Sequence, residues 1–272
     1  MNIAKNLERS VMVFLDHIPI LSLYAKIKGW PYVIAWCHRI AGLFLVCYLW
    51  FHIYTLLSLS SPPFYDATMK IYGFFLFTIL EWALAIPVIF HAFNGGRLIL
   101  YECFESRNDE SMIRYLFGLS ILYIILLGVL MLMGTQSVSA IFFWLTMFVA
   151  SLTLAYGVAA KVWATQPSLL WKLQRITGAF LIVMVPAHML FMHLNYTMSH
   201  DANTVVMRLQ NYFIKAVDIS LVVGILYHAG YGLVTVIGDY IGSHTYRMGL
   251  AALVFLVMLF FAFLGIRLTL VI

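Results

Sequence analysis

Seven stretches of this chain are apolar for long enough to cross the ~30 Å hydrocarbon core of a bilayer as helices, a run of roughly 20 residues each. They fall at 32–57, 71–102, 113–134, 138–164, 170–196, 212–237 and 248–270. Composition agrees, with 64% hydrophobic and 10% charged residues, far more apolar side chain than the core of a soluble domain of this length buries. Strands of an outer-membrane barrel would alternate in polarity and be only about ten residues long. The sequence therefore predicts an all-α membrane protein with seven transmembrane helices.

The basic residues set an orientation. With the N-terminus on the cytoplasmic side, twelve of the sixteen Lys and Arg lie at or near the inner face, against Lys70, Arg208, Lys215 and Arg267 at the outer. This is the positive-inside pattern. Residues 1–31 place Lys5, Glu8, Arg9 and Asp16 among apolar residues, without a continuous signal core or a small-residue cleavage site. They read as an interfacial segment with a docking surface. Cys37, Cys47 and Cys103 have no CxxC spacing, so neither an iron-sulfur site nor a disulfide framework is indicated. No GxGxxG or GxxxxGK[ST] element offers a phosphate cradle. Flavin or iron-sulfur chemistry would have to lie in other chains, and nothing points to nucleic acid.

The chain also repeats itself. HRIAGLFLVCYLWFH, from His38 to His52, returns as QRITGAFLIVMVPAH, from Gln174 to His188. Each is followed by a helix with an HAxxG echo, at His91 and at His228. The chain thus divides into two parallel three-helix repeats, 32–134 and 170–272, with 138–164 as the crossing that returns the chain to its starting side. At ~1.5 Å per residue, His52 and His188 lie toward the outer side and His91 and His228 toward the inner. Pseudo-twofold symmetry then makes His52 face His188 and His91 face His228. Iron porphyrin takes two axial ligands on opposite faces, and imidazole is a common one. Four histidines at two depths suit two stacked b-type haems, and Gly42, Gly95, Gly178 and Gly232 permit close approach of backbone.

Other histidines carry a plainer reading. His193 lies beyond His188 without a counterpart and reads as a residue near the outer edge. His17, His200 and His244 lie outside the spans and read as solvated, while Met189 and Met192 read as packing. Glu81, deep in the second span, either moves protons or hydrogen-bonds to a Ser, Thr or Tyr.

These residues resemble the membrane-anchor cytochrome b of the succinate:quinone oxidoreductases, the succinate dehydrogenases and fumarate reductases. HRIAG is similar to the first-helix signature of the large anchor subunit, and HAFNGGRLILYE to its second helix. QRITG with His188 resembles the matching helix of diheme single-chain anchors. HAGYGLVTVIGDY resembles the small anchor subunit, so large and small anchors are fused here. The resemblance implies partners on the inner face, an iron-sulfur subunit and a flavoprotein subunit that carry the dicarboxylate chemistry. It implies electron transport to or from a membrane quinone, in a bacterial-type cytoplasmic membrane. It implies that His91 and His228 ligate an inner haem b, His52 and His188 an outer haem b, and that His38, Arg39, Asp239 and Tyr240 line the quinone site. Arg97 and Arg175 are candidate partners of the haem propionates or charges of the positive-inside kind. Ala35 stands where ubiquinone members commonly have Ser, leaving menaquinone and ubiquinone both open, and Leu98 stands where the second-helix pattern often has His. A higher oligomer of the complex, an anchor for a hydrogenase or formate enzyme, and a proton-coupled transporter remain alternatives at this point.

Overall fold

The computed structural model describes residues 13, 17–104, 108, 112–113, 116–118, 120–121, 123–124, 140–193 and 196–272. Lys5, Glu8, Arg9 and Asp16 of the N-terminal segment lie outside the described residues, as does most of the third expected span. Among the described residues there are ten α-helices and no strand.

Helix α1 (Pro19–Lys28) leads through Gly29, whose φ of 85° is open to glycine without strain, into α2 (Trp30–Leu56), which starts with proline in its first turn. The turn Leu57–Ser60 and a short α3 (Pro62–Tyr72) follow. The residues from 71 expected to open the second span instead end α3, because Gly73 turns the chain before α4 (Phe75–Phe104) begins. Beyond it come α5 (Ala140–Val162), α6 (Leu169–His193), α7 (Tyr196–His200), α8 (Ala202–Leu209), α9 (Tyr212–Tyr240) and α10 (His244–Val271). Among the described residues six helices, α2, α4, α5, α6, α9 and α10, are long and apolar enough to cross a membrane. The chain is a multi-pass membrane protein.

Helices α2, α4, α6 and α9 form a ring in which each packs against its neighbours, with α5 lying against α6 and α10 against α9. Burial is concentrated on the inward faces. Trp144, Met184 and Val217 are fully buried where α5, α6 and α9 meet, and Val46, Ile53, Leu226 and Met258 join α2, α9 and α10. Outward faces keep large apolar side chains exposed, such as Phe255, Phe260 and Phe263 of α10, as a lipid-facing surface requires. Among the residues of the third expected span that are described, Ile113 and Leu116 pack with Ile34, Phe90 and Phe93.

The two halves also meet at one end of the bundle. There α3, from the first repeat, packs on α8, from the second, through Leu59, Tyr65, Met69, Ala202, Val205 and Leu209. Asp66 Oδ1 accepts a 2.8 Å hydrogen bond from the Ala202 backbone N–H, and Tyr65 donates its hydroxyl to the Ser199 carbonyl. Asp66 and Ala202 are 136 residues apart, the same interval that separates His38 from Gln174. The local twofold axis therefore passes between them. This capped end lies opposite the end that carries Arg39, Arg175 and Asp239.

Candidate functional site

A cavity of about 1480 Å³ runs through the ring from Arg39 and Asp239 at the basic end to Arg208 and Asp218 at the capped end. That exceeds the roughly 300–1,000 Å³ of a single small-ligand pocket. His52, His91, His188 and His228 all line it, and it is otherwise mostly apolar.

The four histidines form two pairs, each from helices opposite one another in the ring. His91 of α4 and His228 of α9 have ring centroids 6.2 Å apart with planes at 84°. His52 of α2 and His188 of α6 stand 6.1 Å apart at 88°. Imidazoles on opposite sides of one metal atom, each nitrogen about 2 Å from it, have centroids about 6 Å apart. Among the described residues no group of three or more His, Cys, Asp or Glu converges on one point. Two imidazoles alone leave a metal's coordination incomplete, so the donor set suits a metal that arrives with an equatorial ligand of its own, as in haem.

The surroundings of the basic-end pair repeat across the pseudo-twofold. A Cβ on Gly42 would stand 3.1 Å from His91 Cε1, and one on Gly178 3.2 Å from His228 Cε1. A Cβ on Gly95 would lie 4.0 Å from His38, and one on Gly232 3.9 Å from the Gln174 side chain. The His91 Nδ1 lies 3.2 Å from the His38 carbonyl. A carbonyl only accepts, so that bond protonates Nδ1 and leaves Nε2 as the lone-pair nitrogen. His228 Nδ1 is buried and closes no such hydrogen bond. Pro87 and Pro186 sit inside α4 and α6, each just before a paired histidine.

At the basic end, α2 and α9 bring together three residues roughly 200 positions apart in sequence. Arg39 donates from Nη2 to Asp239 Oδ2 at 2.5 Å and from Nη1 to the Tyr240 hydroxyl at 3.4 Å, with its guanidinium 5.6 Å from the Tyr240 ring centroid. The ion pair is partly open, with side chains 38% and 42% exposed. His38 does not join this cluster through its ring, which stacks on His91. Arg175 donates from Nε and Nη2 to both oxygens of Glu102, at 2.5 and 2.9 Å, and lies 4.8 Å from the Trp171 ring centroid. Arg97 donates from Nε to Asn94 Oδ1 at 3.0 Å and is not among the residues lining the cavity.

The capped end departs from several sequence expectations. Glu81 pairs with His193, Oε2 to Nδ1 at 3.6 Å, rather than with a hydroxyl. His193, five residues past His188 at the end of α6, lines the cavity with its ring 6.2 Å from that of His188. His200 lines the cavity and contacts the Ser199 hydroxyl at 2.8 Å, because α7 folds back beneath α3. His17 and His244 are exposed. Sequence reasoning passed over Asp218, which pairs with Arg208 at 3.4 Å. The signal was present: Asp218 precedes His228 by ten residues, as Glu81 precedes His91.

The sequence model described as "Succinate dehydrogenase/Fumarate reductase transmembrane subunit" matches twice, at residues 19–132 and 155–266. The Succinate dehydrogenase 2 membrane subunit SdhC of Mycobacterium tuberculosis is 35% identical over 77 residues, which cover 28% of this chain and 57% of that relative. The chain thus spans a little over half the length of the curated relative it matches. No solved structure matches the chain significantly. Two matches, one per repeat and together spanning most of its length, establish that this chain belongs to the succinate dehydrogenase/fumarate reductase transmembrane subunit family.

Proposed function

We propose that the chain is the two-haem cytochrome b anchor of a succinate:quinone oxidoreductase, exchanging electrons between an iron-sulfur subunit docked at its basic end and quinone in the membrane. The observation that carries this is the pair of perpendicular imidazole pairs, 6.2 and 6.1 Å between centroids, facing one elongated cavity. His91 and His228 would hold the haem at the basic end, and His52 and His188 the haem at the capped end. Bound there, haem supplies one-electron carriers along the bundle axis.

The chain's own residues do the rest. A quinone taking up two electrons also needs two protons, so its oxygens gain negative charge that donors can stabilise. Arg39, held by Asp239, keeps a partly exposed guanidinium at the basic end of the cavity, and Tyr240 adds a phenolic O–H beside it. Asp239 orients this cluster and keeps the Arg39 charge balanced while no quinone is bound. His38 supports His91 by stacking. The positive-inside distribution supports a cytoplasmic basic end, and in this reading the iron-sulfur and flavoprotein subunits dock there.

The test is a reduced-minus-oxidised optical spectrum of the purified complex with haem quantified per chain, repeated for His52→Ala and His91→Ala. Two b haems per chain, with one lost in each variant, is the expected result. A chain without haem that copurifies with no flavin or iron-sulfur subunit would overturn the assignment.

A further inference from the structure

Arg208 lines the cavity and has buried, unsatisfied donors. Its side chain is 10% exposed and that of Asp218 15%, and they meet through a single contact, Nη2 to Oδ2, at 3.4 Å. Nε and Nη1 of Arg208 are buried and have no hydrogen-bond partner among the described residues. A guanidinium cannot shed its charge and carries five N–H donors, and buried donors in folded proteins are nearly always satisfied. One long ion-pair contact does not satisfy this group.

Its position says what kind of acceptor is missing. Arg208 lies on α8 at the capped end and shares the cavity wall with His52 and His188. The other arginines lining the cavity, Arg39 and Arg175, lie at the basic end and each already holds a carboxylate at 2.5 Å. A haem between His52 and His188 brings two carboxylates into a low-dielectric interior, where an unpaired anion is costly. We infer that Arg208 binds a carboxylate of the haem at the capped-end pair, with Asp218 holding the guanidinium in place and offsetting part of its charge. This rests on the two-haem reading above. It also gives the halves different characters: the first repeat's acid, Glu81, faces His193, whereas the second repeat's acid faces a permanent cation.

The experiment is redox potentiometry of both b centres in the whole complex, with the capped-end centre identified as the one absent from His52→Ala. In Arg208→Gln, loss of a nearby positive charge favours the oxidised iron. The potential of the capped-end centre should fall, or that haem should be lost, while the basic-end centre stays put. In Asp218→Asn the arginine keeps its charge and loses its competitor, so the same centre should shift upward. Arg208→Lys should restore part of the wild-type value. If Arg208 and Asp218 merely tie α8 to α9, Arg208→Gln and Asp218→Asn will lower thermal stability alike and leave both potentials unmoved, which overturns the inference. Wild-type complex lacking haem at the capped end would overturn the two-haem reading itself and this assignment with it, and haem content of the wild type separates that failure from the first.

Discussion

The imidazoles of His38 and His91 lie face to face, 3.8 Å between centroids and 6° from parallel, while the His38 carbonyl faces His91 Nδ1 at 3.2 Å. One residue thus fixes the plane of its neighbour's ring and, through its backbone, the tautomer. Residues that orient a metal ligand are typically worth about 10–100-fold in metal affinity or activity. Replacing His38 with Ala should weaken haem retention at the basic-end pair by about that factor and leave the capped-end pair intact, whereas Phe should restore the stacking. Haem titration of the apo complex measures both.

Arg39, Asp239 and Tyr240 predict a separable defect. Tyr240→Phe and Arg39→Gln should each lower quinone turnover by about 10²-fold, the scale of a positioned proton donor, with haem content and succinate oxidation by an artificial acceptor unchanged. Asp239→Asn should also raise the quinone KM, because Arg39 loses the partner that aims it. Steady-state kinetics with both acceptors distinguishes these outcomes.

The glycines facing the basic-end pair predict a symmetric steric effect. In Gly42→Ala the new methyl group would stand 3.1 Å from His91, and in Gly178→Ala 3.2 Å from His228. Each ring must give by a few tenths of an ångström, so the low-temperature spectrum of one b centre should shift similarly in both variants. Gly238, with no atom near a Cβ, is the control and should tolerate Ala.

The cap between the repeats depends on hydrogen bonds to helix starts. Asp66→Ala leaves the Ala202 N–H without its acceptor and should cost about 0.5–2 kcal/mol, as loss of an N-terminal cap does, while Asp66→Asn should cost less. Burial pushes the Tyr65 phenol up to about 12, so it remains a donor across the working range. Thermal unfolding of the solubilised complex reads both substitutions.

Asp201 adds a pH dependence. Hydrogen bonds from the Thr204 hydroxyl and backbone N–H to its carboxylate hold its pKa below the ordinary value of 3.8. A depressed folded-state pKa contributes stability that is present above the unfolded value and is lost as pH falls through the folded one. The stability difference between wild type and Asp201→Asn should therefore be flat above pH 3.8 and shrink below it. Unfolding midpoints recorded against pH test this.

Much of the architecture is written in one dimension, because a bilayer makes length and apolarity decide which segments span it. The six spans of the described residues and the facing of the paired histidines follow from counting along helices, since a fixed rise per residue turns spacing into depth. The pairing of Arg39 with Asp239 and Tyr240 was legible only through family resemblance, as no periodicity links α2 to the end of α9. The family is established for both halves by the two sequence matches. Only the tertiary structure decided which ring nitrogen is free on His91, that His38 stacks on it, that His193 and His200 turn inward, and that Arg208 enters the cavity with unsatisfied donors. Those outcomes depend on how α3, α7 and α8 fold over the end of the bundle, a packing between segments about 136 residues apart whose apolar spacing shows a buried face but not the partner it meets.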